Sequence, residues 1–172
     1  MTDPDGNDSP SGVGSFLIWQ QPHIIYMAEL CYRNTANAQI LHKYADIVFR
    51  TADFMASFAR FDTSDNRYIL GPPLIPAQES FPAETTFNPP FELAYWQWCL
   101  TIAQEWRARL KMERVAAWDS VIRLISPLPQ KDGIYLSAES APDSFTNARF
   151  MSDHPMVTGT YGMLPNSPMI DF

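Results

Sequence analysis

Cysteine is nearly absent from this chain. Its 172 residues hold two, Cys31 and Cys99, without the paired spacing of a zinc site or a disulfide framework. Both lie in apolar helical patterns and are expected to be buried as small hydrophobes. Histidine is as scarce: His23, His42 and His154 are scattered, with no i, i+4 pair, so no metal is expected. Bases are outnumbered, twelve against nineteen acids for a net charge of -7, and no basic run occurs, which speaks against a nucleic-acid partner. No apolar run reaches the roughly eighteen residues that a membrane span needs. A Gly-rich phosphate loop, a Gly-x-Ser-x-Gly elbow and a reactive-cysteine context are all missing. Nucleotide, esterase and thiol chemistries therefore have no support, and no cofactor is expected.

What is present is apolar and aromatic. Apolar residues make up 46% of the chain, enough for one domain with a real core, and five tryptophans, seven tyrosines and eleven phenylalanines are available for packing or for stacking on sugar rings. Met1–Gly14 is rich in Asp, Gly, Ser and Pro. It lacks a basic n-region and an apolar h-region and does not read as a signal peptide.

Periodicity then predicts helices. The first runs from about Gln21 to Arg33 with Ile24, Ile25, Ala28, Cys31 and Tyr32 on one face. The second runs from Ala38 to Phe58 with an apolar stripe from Ile40 to Phe58. The short turn Asn34–Asn37 between them implies an antiparallel hairpin. Phe61–Arg67 reads as a polar turn and Tyr68–Leu70 as a short extended piece. A third helix is expected to reach about Lys111, with Asn88 as N-cap and Pro89 as its first residue. A fourth spans about Val115 to Ile125 and is ended by Pro127 and Pro129. An Asp-Gly turn, a short strand Ile134–Leu136 and a last helix over Met156–Leu164 complete the reading. The sum is an all-α chain of antiparallel hairpins, with its sites expected on the loops.

The loop before the third helix stands apart. Six prolines lie between Pro72 and Pro90, so this long connection has little freedom, and it carries Glu79. No Lys or Arg occurs from Tyr68 through Trp106, and the neighbours of Glu79 are Ile75, Pro76, Phe81 and Pro82. A carboxyl enclosed there without a cation would have a raised pKa, as protonation of a glycosidic oxygen requires. Against this stands the plain alternative of a solvated surface glutamate. Glu84 is a rival acid. Glu92 falls in the first helical turn, where the helix dipole favours a negative charge, and reads as structural.

Arg67-Tyr68-Ile69-Leu70-Gly71, the Pro-rich stretch to Glu79, and then Thr85, Thr86, Phe87 and Asn88 opening a helix resemble the catalytic-acid loop of the six-hairpin glycosidases. In the maltose and kojibiose phosphorylase family the acid follows Pro-Asp, and in the alpha-1,2-L-fucosidase family it follows Ser-Pro. Here the acid position reads Ala77-Gln78-Glu79, with Gln78 in place of the phosphorylases' Asp. Trp19-Gln20-Gln21-Pro22-His23 is similar to the polar and aromatic helix starts that line those sites. Leu136 to Asp143, Ser152-Asp153-His154-Pro155 and Tyr161 to Pro165 resemble the fucosidase-type run, with the histidine pair reduced to His154.

The resemblance implies a partial catalytic domain over 1–172, with a polar loop at 1–14 and helical hairpins at 15–172, forming part of an (alpha/alpha)6 toroid. A closed toroid needs more than twice the helices that this chain supplies, so the rest is expected from a longer parent chain. Glu79 is then the general acid of a glycoside hydrolase acting with inversion on a carbohydrate substrate. Trp19, Gln20, Gln21, His23, Thr86, Asn88, Glu139, Asp143 and His154 are the expected substrate contacts. The general base would lie in the remaining part, leaving these residues inactive alone. A glycoside phosphorylase and a non-catalytic carbohydrate-binding or scaffolding domain are the alternatives.

Overall fold

Two long helices, α1 (Gln21–Thr35) and α2 (Ala38–Phe58), open the fold as an antiparallel hairpin in a computed structural model that describes residues 5–7 and 13–171. Most of the polar opening 1–14 thus lies outside the described residues. Ala36 closes α1 at φ 49 with its N–H on the Tyr32 carbonyl, and the Asn37 side chain caps α2 by accepting from Gln39. The buried line of α1 is Pro22, Ile25, Ala28 and Glu29. Cys31 is exposed, contrary to expectation, because it turns outward with Met27 and Leu30, whereas Cys99 is buried.

Residues expected to form only a polar turn make a hairpin instead, in which β1 (Arg60–Asp62) pairs antiparallel with β2 (Arg67–Ile69). The central helix α3 (Pro90–Arg109) follows the proline loop. It starts one residue later than expected: Pro89 is the N-cap, and Asn88 does not cap, because its side chain is turned into the protein at φ 50. α3 is apolar on nearly every side, as a helix surrounded by others must be. The hairpin α1–α2 packs on it, α4 (Ala116–Leu124) packs on α3 and α2, and α5 (Gly159–Gly162) meets α3. α5 and a 3₁₀ turn at Met156–Thr158 replace the single last helix expected there. The Asp-Gly turn is present, with Asp132 at φ 54 and Gly133 at φ 77 joining β3 (Gln130–Lys131) to β4 (Ile134–Tyr135). The described residues are thus mostly helical.

Trp96, Trp106 and Trp118 are buried in the core, and each indole N–H has a partner: the Met55 carbonyl, Glu29 and Asp53 respectively. Glu29 is a buried node between α1 and α3, bonded by Arg109, Arg33 and Trp106 at 2.6–3.1 Å. Burial alone would raise its pKa. The bonds from Arg109, Arg33 and Trp106 outweigh that and hold it below the usual carboxylate range.

The proline loop is pinned at its start by Gly71, whose φ of 76 suits glycine, and a Cβ there would meet the Thr86 carbonyl at 2.7 Å. The Gly71-Pro72 and Pro72-Pro73 bonds are cis. Gly71→Ala should therefore destabilise the chain by roughly 1–3 kcal/mol in urea unfolding. Gly133→Ala is the control, since it shares the positive φ but has open space around its Cβ. Equal losses at the two positions would show that the close approach of Thr86 does not matter.

Candidate functional site

The first turns of α3 and the residue just before them carry three buried polar groups, Asn88, Glu92 and Tyr95, spaced about one turn apart. Each holds a different segment against the helix.

Asn88 has no exposed surface, and all its polar groups are engaged. Its N–H donates to the Leu70 carbonyl at 3.0 Å and its carbonyl accepts from Glu139 at 3.3 Å. Its side-chain oxygen accepts from Leu70 N–H at 2.9 Å, and its amide donates to Ser126 at 3.1 Å and to Glu139 at 2.7 Å. Glu139 in turn accepts two bonds from Arg67 at 2.7 and 2.9 Å. Burial pulls Glu139 up, but Arg67 and Asn88 hold its pKa below the usual range. Asn88 and Glu139 are thus brought together as expected. Their hydrogen bonds go to the protein: the loops at 67–70, 126 and 139 close on one another through them.

Tyr95 holds the start of α1. Its hydroxyl lies 2.7 Å from His23 Nδ1, and Trp19 meets the His23 ring edge-on at 5.2 Å between centroids. Burial lowers the His23 pKa and raises that of Tyr95, so the two form a neutral pair. The Trp19 indole nitrogen is buried and has no partner. Gln20 is exposed just before α1, and Gln21 is its half-buried first residue.

Glu92 holds the proline loop by accepting from Ala77 N–H at 2.6 Å. The same peptide is gripped from its other end, where His154 Nε2 lies 2.6 Å from the Ala77 carbonyl. Gln78 donates to the Phe150 carbonyl at 2.7 Å, and Glu79 N–H donates to the Asp153 carboxylate. Phe81 stacks on Phe150 at 4.6 Å and an interplanar angle of 8°, in a small second core with Ala138 and Ala141. Ile75 N–H bonds the Phe16 carbonyl at 3.0 Å, which joins the loop to the segment that leads into Trp19.

Residues 77, 78 and 79 are therefore fixed one after another, while the Glu79 carboxylate has no hydrogen-bond partner among the described residues. Glu79 is exposed. The apolar enclosure expected for it is not present, because the prolines and Phe81 pack back toward the protein and leave the side chain at the loop surface. The buried carboxyl of this loop is Glu92, which burial pushes up to about 8 against the pull of the Ala77 and Glu92 amides. Grooves of about 400 and 430 Å³ open beside Glu139 and Arg67, and Glu79 lines neither.

The other expected contacts have local partners. Thr86 is buried and its hydroxyl donates to the Pro82 carbonyl at 2.6 Å, shaping the loop's return. Asp143 is exposed and accepts from Asn147 at 2.9 Å. Glu84 is exposed. Among the described residues no group of histidine, cysteine and acidic side chains could hold a metal. Sequence reasoning missed Asp153 and Arg67, and it gave Glu92 a role through the helix dipole. The available signal for Glu92 was a lone acid within Phe91–Trp96, where every other side chain belongs to the core or borders it.

No protein-family model matches the chain, and no curated protein matches it. No helix of the described residues is long and apolar enough to cross a membrane.

The carboxyl of Glu92 makes stability pH-dependent in an unusual direction. From about pH 4.5 to about 8 the folded chain keeps a proton on Glu92 that the unfolded chain releases. Unfolding then releases a proton, so stability should fall as pH rises through this window, by up to about 1.4 kcal/mol per pH unit. Urea midpoints of the chain and of Glu92→Gln across that range test this. The decline should flatten in the variant, and parallel profiles would exclude Glu92 as its source.

Proposed function

We propose that this chain is the acid-bearing part of an inverting glycoside hydrolase built on an (alpha/alpha)6 toroid, with Glu79 as general acid. One observation carries the reading: three consecutive loop residues are immobilised by four separate partners, and the carboxylate they present is left unbonded. A general acid must be aimed at the bond it cleaves while its proton stays available. Structural carboxylates in the same region behave differently, since Glu92, Glu139 and Asp153 all bond protein donors.

In this reading the glycosidic oxygen takes the Glu79 proton as the bond to the anomeric carbon breaks. A water on the opposite face of the sugar, deprotonated by a base from the remaining hairpins, completes the inversion. Because Glu79 is exposed here, substrate and those hairpins supply the exclusion of water that raises the acid's pKa. Trp19 and His23, on the neighbouring start of α1, supply an aromatic wall for the sugar.

Measured in the assembled enzyme, Glu79→Gln should lower kcat on glycosides with poor leaving groups by roughly 10²- to 10⁴-fold. The loss on glycosyl fluorides, whose departure needs no proton, should be far smaller. Equal losses on both substrates would contradict the assignment. Unchanged turnover on both, with sugar binding intact, would favour a binding or scaffolding domain. Turnover that requires phosphate would point to a phosphorylase, and turnover by these residues alone would place the base among them.

A further inference from the structure

His154 has both ring nitrogens facing acceptors. Nε2 lies 2.6 Å from the Ala77 carbonyl, which has no proton to give, so this nitrogen donates. Nδ1 lies 2.5 Å from the carboxylate of Asp153, which also accepts from the His154 backbone N–H at 2.7 Å. A ring that donates at both nitrogens is an imidazolium. The partner carboxylate does not end the chain of contacts, because it also accepts the Glu79 N–H. Burial pulls Asp153 up, but the His154 amide, the His154 charge and ring, and the Glu79 amide hold its pKa below the usual range.

These contacts close a ring. Starting at the Ala77 carbonyl, it passes through the imidazolium to Asp153, on to the Glu79 amide and back along the chain. We propose that His154 and Asp153 are positioning residues: an ion pair that locks the 77–79 backbone from one side and thereby aims the Glu79 side chain, rather than contacts for substrate. Glu92 closes the loop from the other side through Ala77 N–H. His154 comes from a segment more than seventy residues away, so the aim of Glu79 depends on that segment's docking as well as on the loop's own prolines. The step from locked backbone to aimed acid rests on the function proposed above, whereas the lock itself does not.

Amide hydrogen exchange and ring ¹⁵N shifts in this chain test the lock. Both ring nitrogens of His154 should carry the shifts of protonated nitrogens. His154→Ala should speed exchange at Glu79 by about tenfold or more while amides in the middle of α3 keep their protection. His154→Gln, which keeps a donor near the Nε2 position, should restore part of it. A ring with one unprotonated nitrogen, or Glu79 exchange unmoved by His154→Ala, would overturn the lock whatever the enzyme does.

Kinetics of the assembled enzyme test the aim. His154→Ala should lower kcat by roughly ten- to a hundredfold with KM little changed, because misplacement of a reacting group costs rate rather than affinity. A raised KM at constant kcat would make His154 a substrate contact and overturn the positioning role. Failure of Glu79→Gln to affect turnover would instead remove the glycosidase reading and leave the lock to be judged by exchange alone.

Discussion

Asn88 has no exposed surface and a φ of 50, a conformation that most residues avoid. It is held there because every polar group it owns is bonded: two bonds to Leu70, one to Ser126 and two to Glu139. Burying that much polarity is stable only when it is fully matched. The site of the molecule follows from this constraint. With residue 88 fixed, α3 begins in one direction, which brings Glu92 under Ala77 and Tyr95 against His23. A single helix end thereby sets the positions of the extended piece after β2, the proline loop and the start of α1.

The functional reading needs this rigidity. An acid catalyst gains from a fixed carboxyl, and a long loop would ordinarily lose that benefit to its own motion. Here the loop has prolines along its length, a stacked Phe81–Phe150 pair behind it and bonds at 77, 78 and 79. The polar side chains around it divide into those that serve the fold and those left open. Asn88, Glu92 and Glu139 belong to the first group, and Glu79 and the unpartnered Trp19 indole belong to the second.

Much of the helical framework was legible in the sequence because it obeys local rules. α2 runs from Ala38 to Phe58 as its apolar stripe requires, and the Asp132-Gly133 turn joins two short strands. What was misread depended on distant partners. Asn88 before two prolines looks like a helix cap, and only Leu70, Ser126 and Glu139, far away along the chain, turn it inward. Cys31 sits one position from the buried line of α1, a difference too small for periodicity to resolve. A lack of nearby cations suggested burial for Glu79, yet absence of a charge partner says nothing about which way a loop residue faces. The acid that the apolar surroundings do enclose is Glu92, thirteen residues later. The pairing of His154 with Ala77 has no local sequence signal, since it joins two loops across the fold.

The central claim is that Glu79 is a free carboxyl on a fixed loop, presented to a sugar beside the start of α1. An NMR titration of the chain with a panel of disaccharides tests it most directly. The account predicts saturable shift changes at the Glu79 carboxyl and the Trp19 indole, with Asn88 and Glu92 in the supporting shell little affected. Shift changes confined to residues away from this loop, or none with any sugar, would contradict it.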